Sequence, residues 1–151
     1  MDTNLAYVAG LIDGEGCIHL DVTGKVYAPR VSVGMTEPAL FLLEALQAEW
    51  SGTIYQQRAA TEKWAAAYTW HITGWKAARF LTAVRPFLRL KTRQADSALQ
   101  VFAIRAQLAQ RSNGQAKWTP EAREACEAIK QEMHAMNAKG PRAPAQTAGA
   151  A

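Results

Sequence analysis

The sequence predicts an α+β domain whose helices pack on one face of an antiparallel sheet. Three observations carry this reading. Two pairs of short segments alternate apolar and polar residues and are joined by turn residues, the pattern of hairpins rather than of crossovers. Helical periodicity precedes and follows each pair. The resulting order is helix, strand, strand, helix, strand, strand, helix, an αββαββα core, with extra helices at the C-terminal end.

The first helix spans residues 2–13. Asp2, Thr3 or Asn4 caps it, Leu5, Val8, Leu11 and Ile12 recur at helical spacing, and Gly14-Glu15-Gly16 stops it. The strand from Cys17 to Val22 sets Ile18, Leu20 and Val22 on one side and Cys17, His19 and Asp21 on the other. Thr23-Gly24-Lys25 turns the chain into a second strand, Tyr27 to Met35, with Val31, Val33 and Met35 opposite Arg30, Ser32 and Gly34. Thr36-Glu37-Pro38 opens a helix striped by Leu40, Leu43, Leu46 and Trp50 and ended by Ser51-Gly52. Thr53 to Arg58 and Ala66 to Ile72 are the second strand pair; in the latter, Tyr68, Trp70 and Ile72 alternate with Thr69 and His71. Gly74 starts a helix through Ala77, Phe80, Leu81 and Val84, and Pro86 ends it. A connector from Phe87 to Lys91 leads to a helix over Thr92 to Gln110, and Thr119-Pro120-Glu121 caps a last helix reaching Asn137. The domain is therefore 1–137. Residues 138–151, rich in Ala, Pro and Gly without periodicity, read as a disordered tail. Trp50, Trp70 and Trp75 are expected in the core, and His134 on the surface.

Composition narrows the function classes. At 151 residues, with 49% hydrophobic and 20% charged side chains, the chain suits one domain with a real core and excludes wholesale disorder. No apolar run approaches the roughly 18–20 residues of a bilayer span, and Met1-Asp2-Thr3-Asn4 has no basic n-region. We expect an intracellular protein without a membrane or small-molecule partner. Cys17 and Cys126 make neither a disulfide framework nor a zinc signature. Net charge is +4, with six basic residues and no acid from Lys76 to Arg93, whereas the first 37 residues carry five acids. Phosphate bound beside metal-holding carboxylates needs that combination, although solvated faces would show it too.

One segment is far more specific. Val8-Ala9-Gly10-Leu11-Ile12-Asp13-Gly14-Glu15-Gly16 resembles the signature of the LAGLIDADG homing endonucleases, with Val, Gly and Glu as conservative changes. Pro86-Phe87-Leu88-Arg89-Leu90-Lys91-Thr92-Arg93-Gln94-Ala95 is similar to the segment that carries the active-site lysine in single-motif members. The resemblance covers roughly residues 5 to 110. It implies a saddle-shaped antiparallel sheet and, from one motif copy, a homodimer whose motif helices pack together.

Independent of the family, Ala6, Ala9 and Gly10 are small enough for a second helix to approach closely, or for the chain's own sheet to do so. With Asp13 they form the expected interface, and the resemblance gives Asp13 a local bracing role. Glu15, at a helix C-terminus between glycines, is the expected catalytic Mg²⁺ ligand, and the resemblance implies that it meets its copy across the twofold axis. Lys91 is the implied transition-state cation. Glu37 stands where relatives often carry a water-positioning Gln; it either replaces that Gln or is a first-turn acid favoured by the helix dipole. Mn²⁺ or Ca²⁺ would substitute in binding.

The polar sheet face is the expected reader of double-stranded DNA: Cys17, His19, Asp21, Arg30, Ser32, Tyr55, Gln57 and Thr69, with His71 at the edge, and Arg89 and Arg93 on phosphates. The resemblance thus implies a homodimeric, Mg²⁺-dependent, intron-encoded type of endonuclease cutting a long, nearly palindromic target across the minor groove with 3′ overhangs, in a bacterial, phage or organellar setting. The alternative is a non-cleaving relative, a DNA-binding regulator or RNA-splicing maturase; intact Glu15 and Lys91 favour cleavage. A bare dimerisation module is disfavoured by the basic, polar sheet face.

Overall fold

The structure, a computed structural model, describes residues 3–138. α1 (Thr3–Glu15) passes directly into β1 (Gly16–Thr23) with no residue between them. Gly16 makes that exit possible. A Cβ there would lie 2.8 Å from both the Cα and the carbonyl oxygen of Ile12, so any side chain would collide with the last turn of α1. A Cβ on Gly14 would meet nothing within 4 Å, so the turn requires one glycine rather than two.

β1 pairs with β2 (Val26–Thr36) as an antiparallel hairpin running from Gly16↔Val33 to Thr23↔Val26. One 3-10 turn leads into α2 (Leu40–Trp50), and then β3 (Thr53–Arg58) and β4 (Ala67–Thr73) complete a sheet of order β1-β2-β4-β3, antiparallel throughout. α3 (Gly74–Val84), a second 3-10 turn over Arg85–Phe87, α4 (Thr92–Gln110) and α5 (Pro120–Asn137) follow. The predicted order is the observed one. The expected cap at Asp2 and the expected tail beyond residue 138 lie outside the described residues.

Alternation sorts the sheet into two faces. Ile18, Leu20, Val31, Val33, Trp70 and Ile72 are buried against Val8, Ile12, Leu43, Phe80, Leu81 and Val101 from the helices. Each such side chain contributes roughly 1.5–3 kcal/mol relative to exposure. Trp70 satisfies its only polar atom by donating Nε1–H to the Ser51 carbonyl at 2.8 Å and meets Phe80 edge-on at 5.6 Å. That fit requires the adjacent Gly52 (φ 101), where a Cβ would lie 2.5 Å from Ile72 Cγ2. Pro29 in β2 falls just beyond the stretch paired with β4, so its missing N–H interrupts no bond on that side.

α5 covers the outer end of the hairpin. The Tyr27 ring lies 5.6 Å from Trp118 and its hydroxyl donates to Glu127 at 2.7 Å, while Asn137 Nδ2 donates to the Ile18 carbonyl at 2.8 Å. The helix's own Cys126 and Met133 are buried on its inner side. Two core expectations fail. Val22 is 39% exposed because it flanks the hairpin turn, beyond the helices' cover. Trp75 is 60% exposed because it lies across α3 from the buried stripe of Ala77, Phe80, Leu81 and Val84.

Candidate active site and nucleic-acid face

Two segments 78 residues apart lock together at the end of α1. The Asp13 carboxylate accepts three backbone N–H groups: Arg89 at 2.8 Å, Leu90 at 3.2 Å and Lys91 at 3.0 Å. In return, Lys91 Nζ donates to the carbonyls of Ile12 at 2.8 Å and Asp13 at 2.7 Å. The physics is that of a helix end. The last carbonyls of α1 lack N–H partners and form the negative pole of its dipole, which an ammonium satisfies. Three convergent amides likewise make a concave site for an anion. Lys91 therefore uses two of its three N–H donors on protein and retains one.

Glu15 is the last residue of α1 and is exposed. A carboxylate at a helix C-terminus is electrostatically disfavoured, and Glu15 has no hydrogen-bond or ion-pair partner among the described residues to offset it. It borders a hollow of about 410 Å³ shared with Gly34, Met35, Thr36, Gln57 and Ala67, where β2, β3 and β4 converge. Glu37 follows Thr36 directly; its amide donates to the Ala66 carbonyl at 2.9 Å and its side chain is exposed. No group of three or more His, Cys, Asp or Glu that could hold a metal ion occurs among the described residues. One chain thus offers a single carboxylate at Glu15, and a hard cation such as Mg²⁺ fits there only with further oxygens from a second copy, phosphate and water.

Alongside α1 runs a groove of about 540 Å³ lined by Ala6, Gly10, Asp13 and residues Pro86 to Arg89. A Cβ on Gly10 would meet nothing within 4 Å, so this helix face is bare. Ala9 does not share it. It is 0% exposed and packs into the chain's own core, which corrects its assignment to an interface. Ala6, Gly10 and Asp13 lie on one stripe; Ala9 sits at its edge, about 100° around the helix from Gly10, on the side turned to the core.

The basic run from Lys76 to Arg93 is not one phosphate-facing surface. Arg79 lies over the Trp50 ring at 5.6 Å, Arg85 pairs with Asp96 at 2.6 Å, and Lys91 is held on α1. Arg89 lines the α1 groove, and Arg93 pairs with Glu132 of α5 at 3.1 Å. Their dispersal follows from helical spacing in α3 and α4, which sequence proximity conceals.

The polar face itself assembles as the alternation required. Cys17 sits beside Ser32, Ser32 beside His71, His19 beside Arg30, and Tyr55 beside Thr69. β4 is an inner strand, so His71 occupies the middle of this face rather than its edge. Thr69 is only 8% exposed, because Gln57 covers it and accepts its hydroxyl at 3.1 Å. Arg30 Nη1 reaches both Asp21 oxygens, at 3.1 and 3.4 Å, and His19 Nε2 stands 3.8 Å from the same carboxylate. The His71 ring meets Tyr55 at 5.7 Å. Burial is the main force holding both histidines below their ordinary pKa of 6.5, with the Arg30 charge acting the same way and Asp21 opposing it.

Solved structures share this architecture. The homing endonuclease I-CvuI, in complex with the I-CreI target, superposes with a TM-score of 0.72 at 16% identity, over 94% of this chain and 86% of that one. The archaeal intron-encoded homing endonuclease I-Vdi141I, complexed with DNA, gives 0.69 at 17%, over 95% and 89%. The LAGLIDADG meganuclease I-AabMI, bound to uncleaved DNA, gives 0.63 at 16%, over 87% of this chain but 45% of its own. The chain has the LAGLIDADG homing-endonuclease fold. The shared span reaches well past residue 110, so α5 belongs to the LAGLIDADG-type architecture and not to an appendage. No protein-family model and no curated protein sequence matches the chain.

Proposed function

We propose that the chain is a homodimeric, Mg²⁺-dependent, site-specific endonuclease of double-stranded DNA. The observation that carries this is the bracket at the end of α1. Asp13 and Lys91 fix a cation with one free N–H beside an unpartnered Glu15, at the junction of a bare helix groove and a polar sheet face. The I-CvuI and I-Vdi141I complexes with DNA support a duplex as the partner.

The α1 groove would receive the same helix of a second copy, giving an isologous contact through Ala6 and Gly10. I-AabMI, of which this chain covers 45%, has room in one chain for a second unit of this size. Pairing brings two Glu15 carboxylates to the same end of the interface, and these would hold the cation together with phosphate oxygens. When bound, Mg²⁺ neutralises phosphate charge and lowers the pKa of coordinated water. Lys91 directs its remaining N–H at the scissile phosphate, where charge develops. Asp13 acts through Lys91 by holding its loop. Glu37 orders water at the end of β2, and Arg30, pre-set by Asp21, and Gln57 read base edges in the major groove. The target is a long, nearly palindromic site, as twofold symmetry requires.

The test is selection from randomised duplex DNA, with bound and cut molecules sequenced with and without Mg²⁺. Cut molecules enriched for one palindromic sequence, only with Mg²⁺, are expected. Sequence-specific binding without cutting would replace the nuclease with a regulator, and preference for structured RNA would replace it with a maturase.

A further inference from the structure

At the end of the sheet opposite Glu15 lies a second hollow, of about 370 Å³. Thr53 and Thr73, at the ends of β3 and β4, line it together with His71, Lys76 enters from α3 and Arg105 from α4. No acidic residue lines it. Lys76 and Arg105 are half-buried, and neither has a hydrogen bond or ion pair among the described residues; Lys76 Nζ only rides 5.9 Å from the exposed Trp75 ring. The other basic groups of α3 and α4 are engaged, Arg79 over Trp50 and Arg93 with Glu132, and so is Arg85 in the turn between them, with Asp96.

Two half-buried cations lining one hollow repel each other unless an anion joins them. Threonine hydroxyls at the rim add donors of the kind that bind phosphate oxygens. The hollow is continuous with the face that presents Arg30, because Thr73 pairs directly with Arg30 across β2 and β4.

We propose that Lys76 and Arg105 clamp a DNA backbone phosphate at the outer end of each half-site, beyond the bases that the sheet reads. This rests on the reading of the chain as a DNA-binding enzyme. The clamp would fix where the duplex leaves the sheet and so set the length of target each chain covers. It contributes affinity without sequence preference.

The experiment measures affinity of the full chain for a mixed-sequence duplex of about 40 base pairs, against salt concentration, for the wild type and for Lys76→Ala/Arg105→Gln. Each chain should lose one phosphate contact, lowering the magnitude of the log–log salt slope by about 0.9 per chain and about 2 per dimer. The sequence preference of bound molecules should not change. Lys76→Arg should retain the wild-type slope. Neither side chain bonds to the fold, so thermal unfolding should match the wild type; a variant that melts early is replaced by Lys76→Gln alone, with half the slope change expected. A wild-type slope in the double variant overturns the clamp and leaves DNA binding intact. A wild-type chain with no salt-dependent duplex binding overturns the nuclease reading and the clamp together.

Discussion

Replacing Asp13 by Asn tests whether the bracket positions Lys91. In the wild type Oδ2 accepts the Arg89 amide at 2.8 Å, and Oδ1 accepts those of Leu90 and Lys91 at 3.2 and 3.0 Å. Asparagine is nearly isosteric but has one oxygen. With that oxygen at the Oδ1 position it keeps two bonds, and its NH₂ then faces the Arg89 N–H, donor against donor. One charge-assisted bond is lost and two become neutral. Charge-assisted bonds contribute about 1.5–3 kcal/mol each, and the lower end applies where water reaches the amides, as it does here. The 89–91 loop should therefore loosen by about 1.5–3 kcal/mol. Lys91 keeps its carbonyl partners on α1, but its backbone is no longer fixed. Single-turnover cleavage of the selected target at saturating protein should slow by about 10- to 100-fold, the rate equivalent of about 1.4–2.8 kcal/mol. Equilibrium binding of the same duplex, measured in Ca²⁺, should be unchanged. A wild-type cleavage rate alongside wild-type chemical denaturation would refute the positioning role of Asp13.

Further outcomes follow from the same geometry. Gly10→Leu should leave the monomer fold intact and its helix about 0.8 kcal/mol more favourable, because a Cβ at this position meets nothing within 4 Å in one chain and the groove has room for the rest. By filling the groove it should leave a monomer in light scattering, and a stable dimer would remove α1 from the interface. Glu15→Gln should bind target DNA as well as the wild type or better and cut at background with Mg²⁺; near wild-type cutting would return Glu15 to the role of a turn residue. Folding stability should depend on pH through His19 and His71. Their folded pKa values lie below 6.5, so the unfolded chain takes up protons first as pH falls through that value, and stability drops with it. His19→Gln/His71→Gln should flatten the denaturation midpoint between about pH 5 and 7, and an unaltered profile would show that neither histidine is desolvated.

The element order was legible in the sequence because each element is specified locally. Alternation in Ile18, Leu20, Val31 and Val33 selects a strand and a face whatever lies above it. Gly16 announces a tight exit, and the spacing around Glu15 and Lys91 carries a pattern long enough to be recognised by itself. Tertiary structure decided what those residues touch. That Asp13 gathers three amides from 89–91 cannot be read from either segment, since both ends of each bond lie on different elements. Ala9 and Gly10 are adjacent small residues, yet one is sealed in the core and the other lies open, because successive helix positions differ by about 100° and the sheet lies on only one side. Charge shows the limit most clearly. Six basic residues within an 18-residue stretch free of acids separate onto an aromatic ring, two carboxylates, a helix end, a groove and a hollow. The seventh cation of interest, Arg105, joins Lys76 only through the packing of α4 against α3. Periodicity determines which side of its own element a residue occupies; the neighbour it meets there is set by how the elements cross.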